Sequence, residues 1–404
     1  MIAAIDAARV AALADEPLDW RYKGLPASWS GRTPAQICAD RAALFDGVVG
    51  PICVLKADAL AHNLATMAHW CRTRGVELAP HGKTHMAPQL LARQLEAGAC
   101  AVTVATVSQA RVYRAFGVTD IVLANELVDG AGLRWLAAVL DADPSFGLTC
   151  WVDSVRGIEA MTSALEGAGR PVDVCVEVGM PGGRTGCRGR DSIDVVARAA
   201  AASPRLRLVG VAGYEAALGH DVGADALAAV RTYLAEVRAA MVRLAPLFET
   251  DRPIATAGGS TYFDAVAEEL AGDWRTILRS GCYLTHDDGL YQRTSPLRDG
   301  LRTALSVWAS VLSRPEEGLA LVAMGRRDVS FDQDMPIPYG LTASRAVRLN
   351  DQHAYLAVGE DDVVDVGDWI EFGISHPCTT FDKWQMIPVI DDDNRVVDLI
   401  RTFF

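Results

Sequence analysis

The sequence lacks the long runs that would hold the chain on a membrane or a nucleic acid. No apolar run approaches the roughly 20 residues that span a bilayer, and no stretch is rich in Lys or Arg. The formal net charge is −13, which disfavours nucleic acid and anionic membranes as partners. The N-terminal segment carries Asp6, Asp15 and Glu16 and has no basic start, unlike a secretory signal.

The cysteines show no pairing pattern. Nine are present, an odd number, and no two are spaced as CxxC. Disulfide frameworks and many zinc sites have regular cysteine spacings, so we expect a reduced, cytoplasmic protein. Internal repeats and low-complexity segments are also absent, and half of the 404 residues are hydrophobic. That length and composition predict two ordinary globular domains with a large core.

Short apolar runs alternate with helical patterns between about residues 51 and 300. The runs include VELAP, AVTVAT, DIVLAN, GLTCWVD, VDVCVEVG and LRLVGVAGY. Strands that are apolar throughout and joined by helices are typical of a parallel sheet buried on both faces. Seven or eight such units over roughly 240 residues predict an α/β fold with a (β/α)8 barrel of the TIM type. In such barrels the chemistry lies in the loops that follow the strands.

The pattern changes after about residue 300. Short strands such as GLALVAMG, DWIEFGI and QMIPVID are separated by Gly, Asp, Asn and Pro turns, which predicts an antiparallel β domain at the C-terminus. We predict three segments. An extension over residues 1–57 ends in a strand that joins the β domain, the barrel covers 58–300, and the β domain covers 301–404.

Two lysines compete for a catalytic role. Lys83, in PHGKTHMAPQ, follows an apolar strand and stands between His81 and His85. Lys56, in ICVLKADAL, precedes the first barrel helix. A lysine at a strand end, close to other cationic groups, can have a lowered pKa and form a Schiff base with an aldehyde. Position therefore favours Lys83.

The segment around Lys83 resembles a known family. PHGKTHMAPQLLARQLEAGACAVTVATVSQARV, with PICVLKADALAHNLATMAHWCRTRGVELAP before it, is similar to the D-threonine aldolase and D-serine dehydratase family. These are pyridoxal phosphate enzymes with the alanine-racemase-type (fold type III) barrel. The family's cofactor lysine matches Lys83. VLKADA imitates the lysine motif of alanine racemases, but in both groups the cofactor lysine follows the next strand, so Lys56 does not match.

The resemblance also implies residues that bind the rest of pyridoxal phosphate. TAGGSTYF matches the family's phosphate loop, and LRSGCYL matches a second segment near the phosphate. VEVGMPGGRTGCR matches a loop whose arginine faces the cofactor phenolate and the substrate carboxylate. Two extra residues there leave Arg188 as the alternative to Arg184. GVAGYEAALGH matches a Tyr-x-Gly-His segment, with His220 left open by its lengthening. The implied cofactor-binding residues are His81, Lys83, Arg184, Tyr214, Gly258, Gly259, Ser260, Thr261, Gly281, Cys282 and Tyr283.

A metal site is implied in the β domain. His376 and Cys378, in GISHPCTTFDKW, match the His-x-Cys or His-x-Asp pair with which the family binds a divalent metal. A thiolate ligand favours Zn²⁺, whereas the Asp version suits harder ions such as Mn²⁺. His353, in NDQHAYL, matches a further histidine near this site and is the second catalytic candidate.

The family's chemistry implies a D-amino acid substrate and a homodimer. With Lys83 as the base and a metal on the β-hydroxyl, the expected reaction is β-elimination of water from a D-3-hydroxy amino acid, giving a 2-oxo acid and ammonia. The alternative is aldolase cleavage to glycine and an aldehyde; Cys378 in place of Asp favours the dehydratase. A racemase and a non-catalytic pyridoxal-phosphate-binding protein rank lower. D-Serine, D-threonine, 3-hydroxy-D-aspartate and D-glucosaminate all fit this chemistry.

Overall fold

The computed structural model describes residues 3–404 and divides them into two compact units. The first, here called the barrel unit, contains the described residues through Asp6, then Ala68–Lys83 and Gln94–Gly281. The second, here called the β unit, contains Ala7–Met67, Thr84–Arg93 and Cys282–Phe404. Among residues 3–404, no helix is both long enough and apolar enough to cross a lipid bilayer.

Strands and helices follow one another along the chain much as the apolar runs predict. The strands are β1 (Ile52–Lys56), β2 (Glu77–Leu78), β3 (Val102–Val104), β4 (Asp120–Glu126), β5 (Gly147–Val152), β6 (Val172–Val178), β7 (Leu206–Gly213), β8 (Ile254–Ala257), β9 (Arg275–Leu278), β10 (Leu305–Glu316), β11 (Leu319–Val322), β12 (Ile337–Pro338), β13 (Arg345–Leu349), β14 (Ala354–Ala357), β15 (Trp369–Gly373), β16 (Met386–Ile390) and β17 (Val396–Arg401). The α-helices are α1 (Ala7–Ala11), α2 (Pro34–Ala39), α3 (Ala57–Arg74), α4 (Pro88–Glu96), α5 (Val107–Ala115), α6 (Gly130–Ala142), α7 (Val155–Ala164), α8 (Arg190–Ala202), α9 (Ala224–Leu244), α10 (Phe263–Glu269), α11 (Leu290–Thr294) and α12 (Cys378–Phe381).

The barrel unit is built on eight parallel strands in the order β2-β9-β8-β7-β6-β5-β4-β3. The two ends of this sheet meet. The N–H of Cys100 donates to the carbonyl of Leu78 at 2.8 Å, and the N–H of Thr103 donates to Pro80 at 2.9 Å. These bonds close the sheet into a barrel, which confirms the predicted (β/α)8 architecture.

Apolar side chains of the strands form a core cluster of the barrel unit. Strands buried on both faces need apolar side chains on both faces, which explains why the strand segments are largely apolar. The residues of this cluster are Ala79, Ala101, Val122, Trp151, Cys175, Val209, Ala212 and Ile277.

The β unit contains a mostly antiparallel sheet in the order β13-β14-β11-β10-β1-β16-β17, with β15 paired to β10 and β12. The early strand β1 runs antiparallel to β10 and parallel to β16. The predicted antiparallel β domain is therefore present, and it includes a strand from the N-terminal part of the chain. One four-residue helix, α12, interrupts the run of strands.

The N-terminal extension contributes to the core of the β unit. Its apolar side chains pack against β1 and against the last two strands of the chain. The buried members of this cluster are Leu18, Tyr22, Leu25, Trp29, Ile37, Leu44, Ile52, Val54, Met386, Ile390, Val396 and Leu399.

Helix α9 offers a test of the barrel packing. Leu234 is fully buried, whereas Val242 on the same helix is 62% exposed. We expect Leu234→Ala to lower the free energy of unfolding by about 2–5 kcal/mol, because it leaves a cavity, and Val242→Ala to change it by less than about 0.5 kcal/mol. Urea unfolding followed by circular dichroism measures both. Equal effects of the two substitutions would contradict the packing described for α9.

Candidate active site

Lys83 lies at the rim of the barrel. It is exposed, in the 3-10 turn Gly82–Thr84 that follows β2, and His81 just before it pairs with Thr103 of β3. The hydroxyl of Tyr113 donates to the carbonyl of Gly82 at 2.8 Å. A Cβ atom at position 82 would come within 2.6 Å of that tyrosine. The close approach explains why glycine separates His81 from Lys83.

Positive charges surround His81. Burial lowers the pKa of its imidazole well below the usual value, and the charges of Lys83, Arg279 and Arg184 lower it further. Its Nδ1 atom is buried and has no hydrogen-bond partner among residues 3–404. A neutral imidazole with an unused nitrogen, among three cations, suits a bound anion that carries hydrogen-bonding groups. Pyridoxal phosphate has this character, so the residues fit the group.

The two arginines of the loop after β6 make different contacts. The guanidinium of Arg188 donates to the carbonyls of Gly183 and Arg184 at 3.2 and 2.6 Å and holds the loop together. The guanidinium of Arg184 lies over the ring of Tyr214, 4.5 Å from its centroid. Glu177, Arg184 and Tyr214 line one cleft. Of the two candidates, Arg184 therefore lies beside another predicted cofactor residue.

The glycine loop after β8 already holds a carboxylate. The N–H groups of Gly258 and Gly259 donate to the two oxygens of Glu215, at 3.0 and 2.8 Å. Glu215 is completely buried. Further along the loop, Thr261 Oγ1 lies 2.9 Å from Nδ1 of His220. The sequence assigned the two glycines to a phosphate but gave no role to Glu215.

Arg279 is a buried cation in the barrel unit that sequence reasoning missed. It is 6% exposed and donates to Thr256 Oγ1 and to the carbonyl of Gly213, both at 2.7 Å. Burial lowers the pKa of its guanidinium, while the charges of Glu215 and Glu177 act in the opposite direction. The available signal was an arginine directly after the apolar run of β9, where a barrel places its functional loops.

Lys56, the rejected lysine, belongs to an ion pair of the β unit. Its Nζ lies 2.7 Å from the carboxylate of Glu371 and 5.2 Å from the ring centroid of Tyr339. A structural partner of this kind accounts for the lysine without a catalytic role.

His376 and Cys378 form a connected pair in the β unit. Cys378 Sγ lies 3.6 Å from Cys282 Sγ and 3.4 Å from Thr84 Oγ1. The hydrogen bond with Cys282, with help from His376 and Thr84, holds the pKa of the Cys378 thiol well below its usual value despite burial. Burial alone would lower the pKa of His376, but the hydrogen bond and charge of Cys378, with those of Asp332, raise it to about 9.

Two aspartates fix His376. Its Nδ1 lies 2.5 Å from Asp332, while its backbone N–H donates to Asp287 at 3.1 Å. The backbone of His376 has a φ of 73°, a conformation that side-chain-bearing residues rarely adopt and that its surroundings must stabilise. Asp332 lies in an exposed loop of the β unit, and its carboxylate orients His376, a predicted metal ligand.

The donor set matches a metal site with few protein ligands. Among residues 3–404, no three His, Cys, Asp or Glu side chains are arranged to enclose a metal. An imidazole beside a low-pKa thiol, with the other ring nitrogen oriented by Asp332, nevertheless provides two suitable donors for an open site. The residues therefore fit a metal held by two protein ligands.

The remaining predicted residues lie in two places. Gly281 is the last residue of the barrel unit. Cys282 and Tyr283 begin the buried 3-10 turn Cys282–Leu284 of the β unit. His353 is exposed in the turn between β13 and β14, where its carbonyl accepts from Asn350 N. Its ring makes no contact with His376 or Cys378 in the described structure. The structure therefore does not connect His353 with the predicted metal ligands.

Two carboxyl groups meet at the rim of the barrel unit. Glu126 ends β4, and Glu177 lies near the end of β6. Burial and the charge of Glu177 raise the pKa of Glu126 to about 8. Both oxygens of Glu126 are buried without a hydrogen-bond partner among residues 3–404. The pair therefore tends to keep a proton near neutral pH.

Two family models match the chain. The alanine racemase N-terminal domain matches residues 55–287, and a serine dehydratase domain matches residues 304–390. The first covers more than half of the chain and coincides with the part that folds into the barrel. Fold and site thus define an enzyme of the alanine-racemase-like, fold type III class, whose members use pyridoxal phosphate.

Several curated relatives and solved structures are similar to this chain. A 3-hydroxy-D-aspartate aldolase of Paracoccus denitrificans (strain Pd 1222) is 28% identical over 350 residues, covering 83% of this chain and 87% of the relative. A D-threo-3-hydroxyaspartate dehydratase of Delftia sp. (strain HT23) is 29% identical over 288 residues, covering 70% and 73%. The crystal structure of D-threonine aldolase from Filomicrobium marinum superposes with a TM-score of 0.79 at 28% identity, covering 89% and 95%.

The chain belongs to the family of the alanine racemase N-terminal domain, and it is similar to D-threonine aldolases and to 3-hydroxy-D-aspartate aldolases and dehydratases. The resemblance found around Lys83 is thereby confirmed at the level of the family. The relatives comprise both aldolases and a dehydratase, so membership establishes an enzyme without specifying which bond it breaks.

The pair of Glu126 and Glu177 predicts a dependence of stability on pH. The folded state keeps the Glu126 proton up to about pH 8, whereas the unfolded chain loses it near 4.5. Between these values the folded state binds more protons, so stability falls as pH rises. We expect Glu126→Gln to stabilise the protein at pH 8, on the order of 1 kcal/mol, and to have little effect near pH 4.5.

Thermal unfolding across this pH range measures the effect. The exposed residue Glu236 on α9 supplies the matched control, Glu236→Gln. A Glu126→Gln variant whose stability follows pH as the parent protein does would contradict the raised pKa.

Proposed function

We propose that the protein catalyses the pyridoxal-phosphate- and metal-dependent dehydration of a D-3-hydroxy amino acid, giving a 2-oxo acid and ammonia. The observation that carries the proposal is the pairing of Cys378 with His376, where a thiol replaces the carboxylate of the aldolase-type pair. The cations around His81 and the family relationship support the cofactor. The Delftia relative, a dehydratase, supports the reaction.

Lys83 would hold the cofactor and then act as the base. Its Nζ would hold the cofactor covalently, and as the base it would remove the proton from Cα of the substrate. Pyridoxal phosphate, when bound, supplies the electron sink for the charge that develops at Cα. Arg184, whose guanidinium lies over Tyr214, would pair with the substrate carboxylate.

His376 and Cys378 would hold a divalent metal. The soft thiolate favours Zn²⁺ over Mn²⁺, and Asp332 fixes the orientation of the imidazole. The metal, when bound, acts as a Lewis acid on the β-hydroxyl group. The hydroxyl would leave as water by taking up one proton, which balances the proton removed from Cα. The enamine so formed would react with one water to give the 2-oxo acid and ammonia.

Aldolase cleavage is the second candidate. Two relatives carry names of that activity, the 3-hydroxy-D-aspartate aldolase and the D-threonine aldolase. In that reaction a base removes the hydroxyl proton and the bond between Cα and Cβ breaks. The same lysine and metal pair would serve both reactions, and Cys378 in place of Asp favours the dehydratase. A homodimer remains our expectation from the family resemblance.

Product analysis with D-threonine tests the reaction. We expect the protein supplied with pyridoxal phosphate and Zn²⁺ to form 2-oxobutanoate, and chelation to abolish it. Lys83→Ala should reduce turnover by roughly a thousandfold or more, because it removes the base and the covalent attachment. Lys56→Ala is the matched control and should retain turnover. Glycine and acetaldehyde in place of 2-oxobutanoate would support the aldolase instead.

Asp332→Asn tests the metal site. The substitution keeps the shape of the side chain but weakens its hold on His376 Nδ1, so we expect Zn²⁺ to bind roughly 10- to 100-fold more weakly. Competition with a chromophoric chelator measures the affinity. Asp361 is exposed in the same unit, and Asp361→Asn should bind Zn²⁺ like the parent protein. Equal affinity of both variants would mean that Asp332 does not orient a ligand.

A further inference from the structure

Glu215 lies where the loops after β7, β8 and β9 come together in the barrel unit. It starts the 3-10 turn Glu215–Leu218 just after β7. Its carboxylate accepts both N–H groups of the Gly258–Gly259 loop. The carbonyls of the same glycines accept from the loop after β9, where Arg279 N donates to Gly258 at 3.0 Å and Ser280 Oγ donates to Gly259 at 2.7 Å. The glycine loop is therefore hydrogen-bonded both to Glu215 after β7 and to the loop after β9.

The backbone of this loop presents two N–H groups to an anion. Gly258 has a φ of 92°, a region open to glycine at little cost, and a Cβ there would come within 2.7 Å of Leu278. Two successive N–H groups that point to one side form a concave anion site. Without an anion the buried N–H of Gly258 and the partly buried N–H of Gly259 would be unpaired, at a cost that Glu215 removes.

Charge balance also favours a fixed Glu215. The carboxylate is completely buried, and the nearby guanidinium of Arg279 is 6% exposed. Among the charges that stabilise Arg279, that of Glu215 is the largest. Moving Glu215 away would leave a buried cation without its main counter-charge, which is strongly unfavourable. A phosphate is therefore expected to use groups further along the loop, such as the Thr261 hydroxyl that His220 contacts.

We propose that Glu215 is a positioning residue of the cofactor site, which shapes the phosphate loop before pyridoxal phosphate binds. The proposal rests on the cofactor assignment made above. It changes the role of Gly258 and Gly259, whose N–H groups bind the Glu215 carboxylate while the residues after them face the phosphate. Preorganisation of this kind improves affinity because the loop need not be ordered during binding.

The affinity for pyridoxal phosphate tests the proposal. We expect Glu215→Gln to weaken binding about tenfold and Glu215→Ala to weaken it further, because each removes charged hydrogen bonds that hold the loop. Titration followed by the visible absorbance of the bound cofactor measures affinity. Calorimetry measures the affinity for inorganic phosphate, which does not react with Lys83 and therefore reports on the loop alone. Glu268→Gln, which removes an exposed carboxylate paired with Arg231, should bind both ligands like the parent protein.

Chemical rescue separates positioning from a general loss of structure. Acetate can occupy the space left by Glu215→Ala and accept the same two N–H groups, so we expect it to restore much of the lost affinity. It should have no effect on the parent protein or on Glu268→Gln. Thermal unfolding midpoints of the variants establish that the proteins compared are folded.

The outcomes distinguish this proposal from the proposed function. Unchanged affinity for pyridoxal phosphate in Glu215→Gln would overturn the positioning role. Tighter binding in Glu215→Gln that acetate then weakens would also overturn it, because Glu215 would be competing with the phosphate. If the parent protein binds neither pyridoxal phosphate nor inorganic phosphate, both the positioning role and the cofactor assignment fail. Weaker binding in Glu215→Gln, in a parent protein without dehydratase or aldolase activity, would leave the positioning role standing and reject only the reaction.

Discussion

Closure of the barrel by hydrogen bonds between the segment after β2 and strand β3 is the constraint on which the candidate cofactor site depends. The carbonyls of Leu78 and Pro80 accept from Cys100 and Thr103, and the chain continues through His81 directly to Lys83. Without that closure, the turn that carries the lysine would be a free end of an open sheet. With it, the loops that follow the strands lie on one rim, as in other barrels of this type.

Buried charge is balanced locally in both units. In the barrel unit the carboxylate of Glu215 faces two glycine N–H groups and the guanidinium of Arg279. In the β unit His376 is held by Asp332 through its ring and by Asp287 through its backbone. Buried ions are tolerated where hydrogen bonds and opposite charges compensate them. Such clusters are rigid, which is what a site that positions small reacting groups requires.

The fold could be predicted from the sequence because it depends on regular patterns. Largely apolar runs such as VDVCVEVG are typical of strands buried on both faces, and their alternation with helices predicts the barrel. The family could also be recognised from the sequence, because PHGKTHMAPQ is a motif with a lysine just after a strand. The roles of individual site residues were accessible only through the resemblance, and they remain predictions.

Three residues show what was out of reach. Glu215 lies in the lengthened segment GVAGYEAALGH and Arg279 in LRSGCYL, but the sequence analysis assigned neither side chain a role. Asp332 likewise had no assigned role. Each acts through a residue distant in the chain, at Gly258, Gly213 and His376 respectively. No local periodicity encodes such contacts, because a side chain's partner is set by how strands and loops come together.

The sequence by itself determined the barrel, the antiparallel β domain and the family, and it predicts Lys83 rather than Lys56 as the cofactor lysine. Those features follow from hydrophobic periodicity and from a short motif, which are local properties of the chain. The tertiary structure alone decided that Arg184 rather than Arg188 lies over Tyr214, that a carboxylate occupies the glycine loop and that Asp332 orients His376. These depend on distances between atoms far apart in sequence, and only the folded chain fixes such distances.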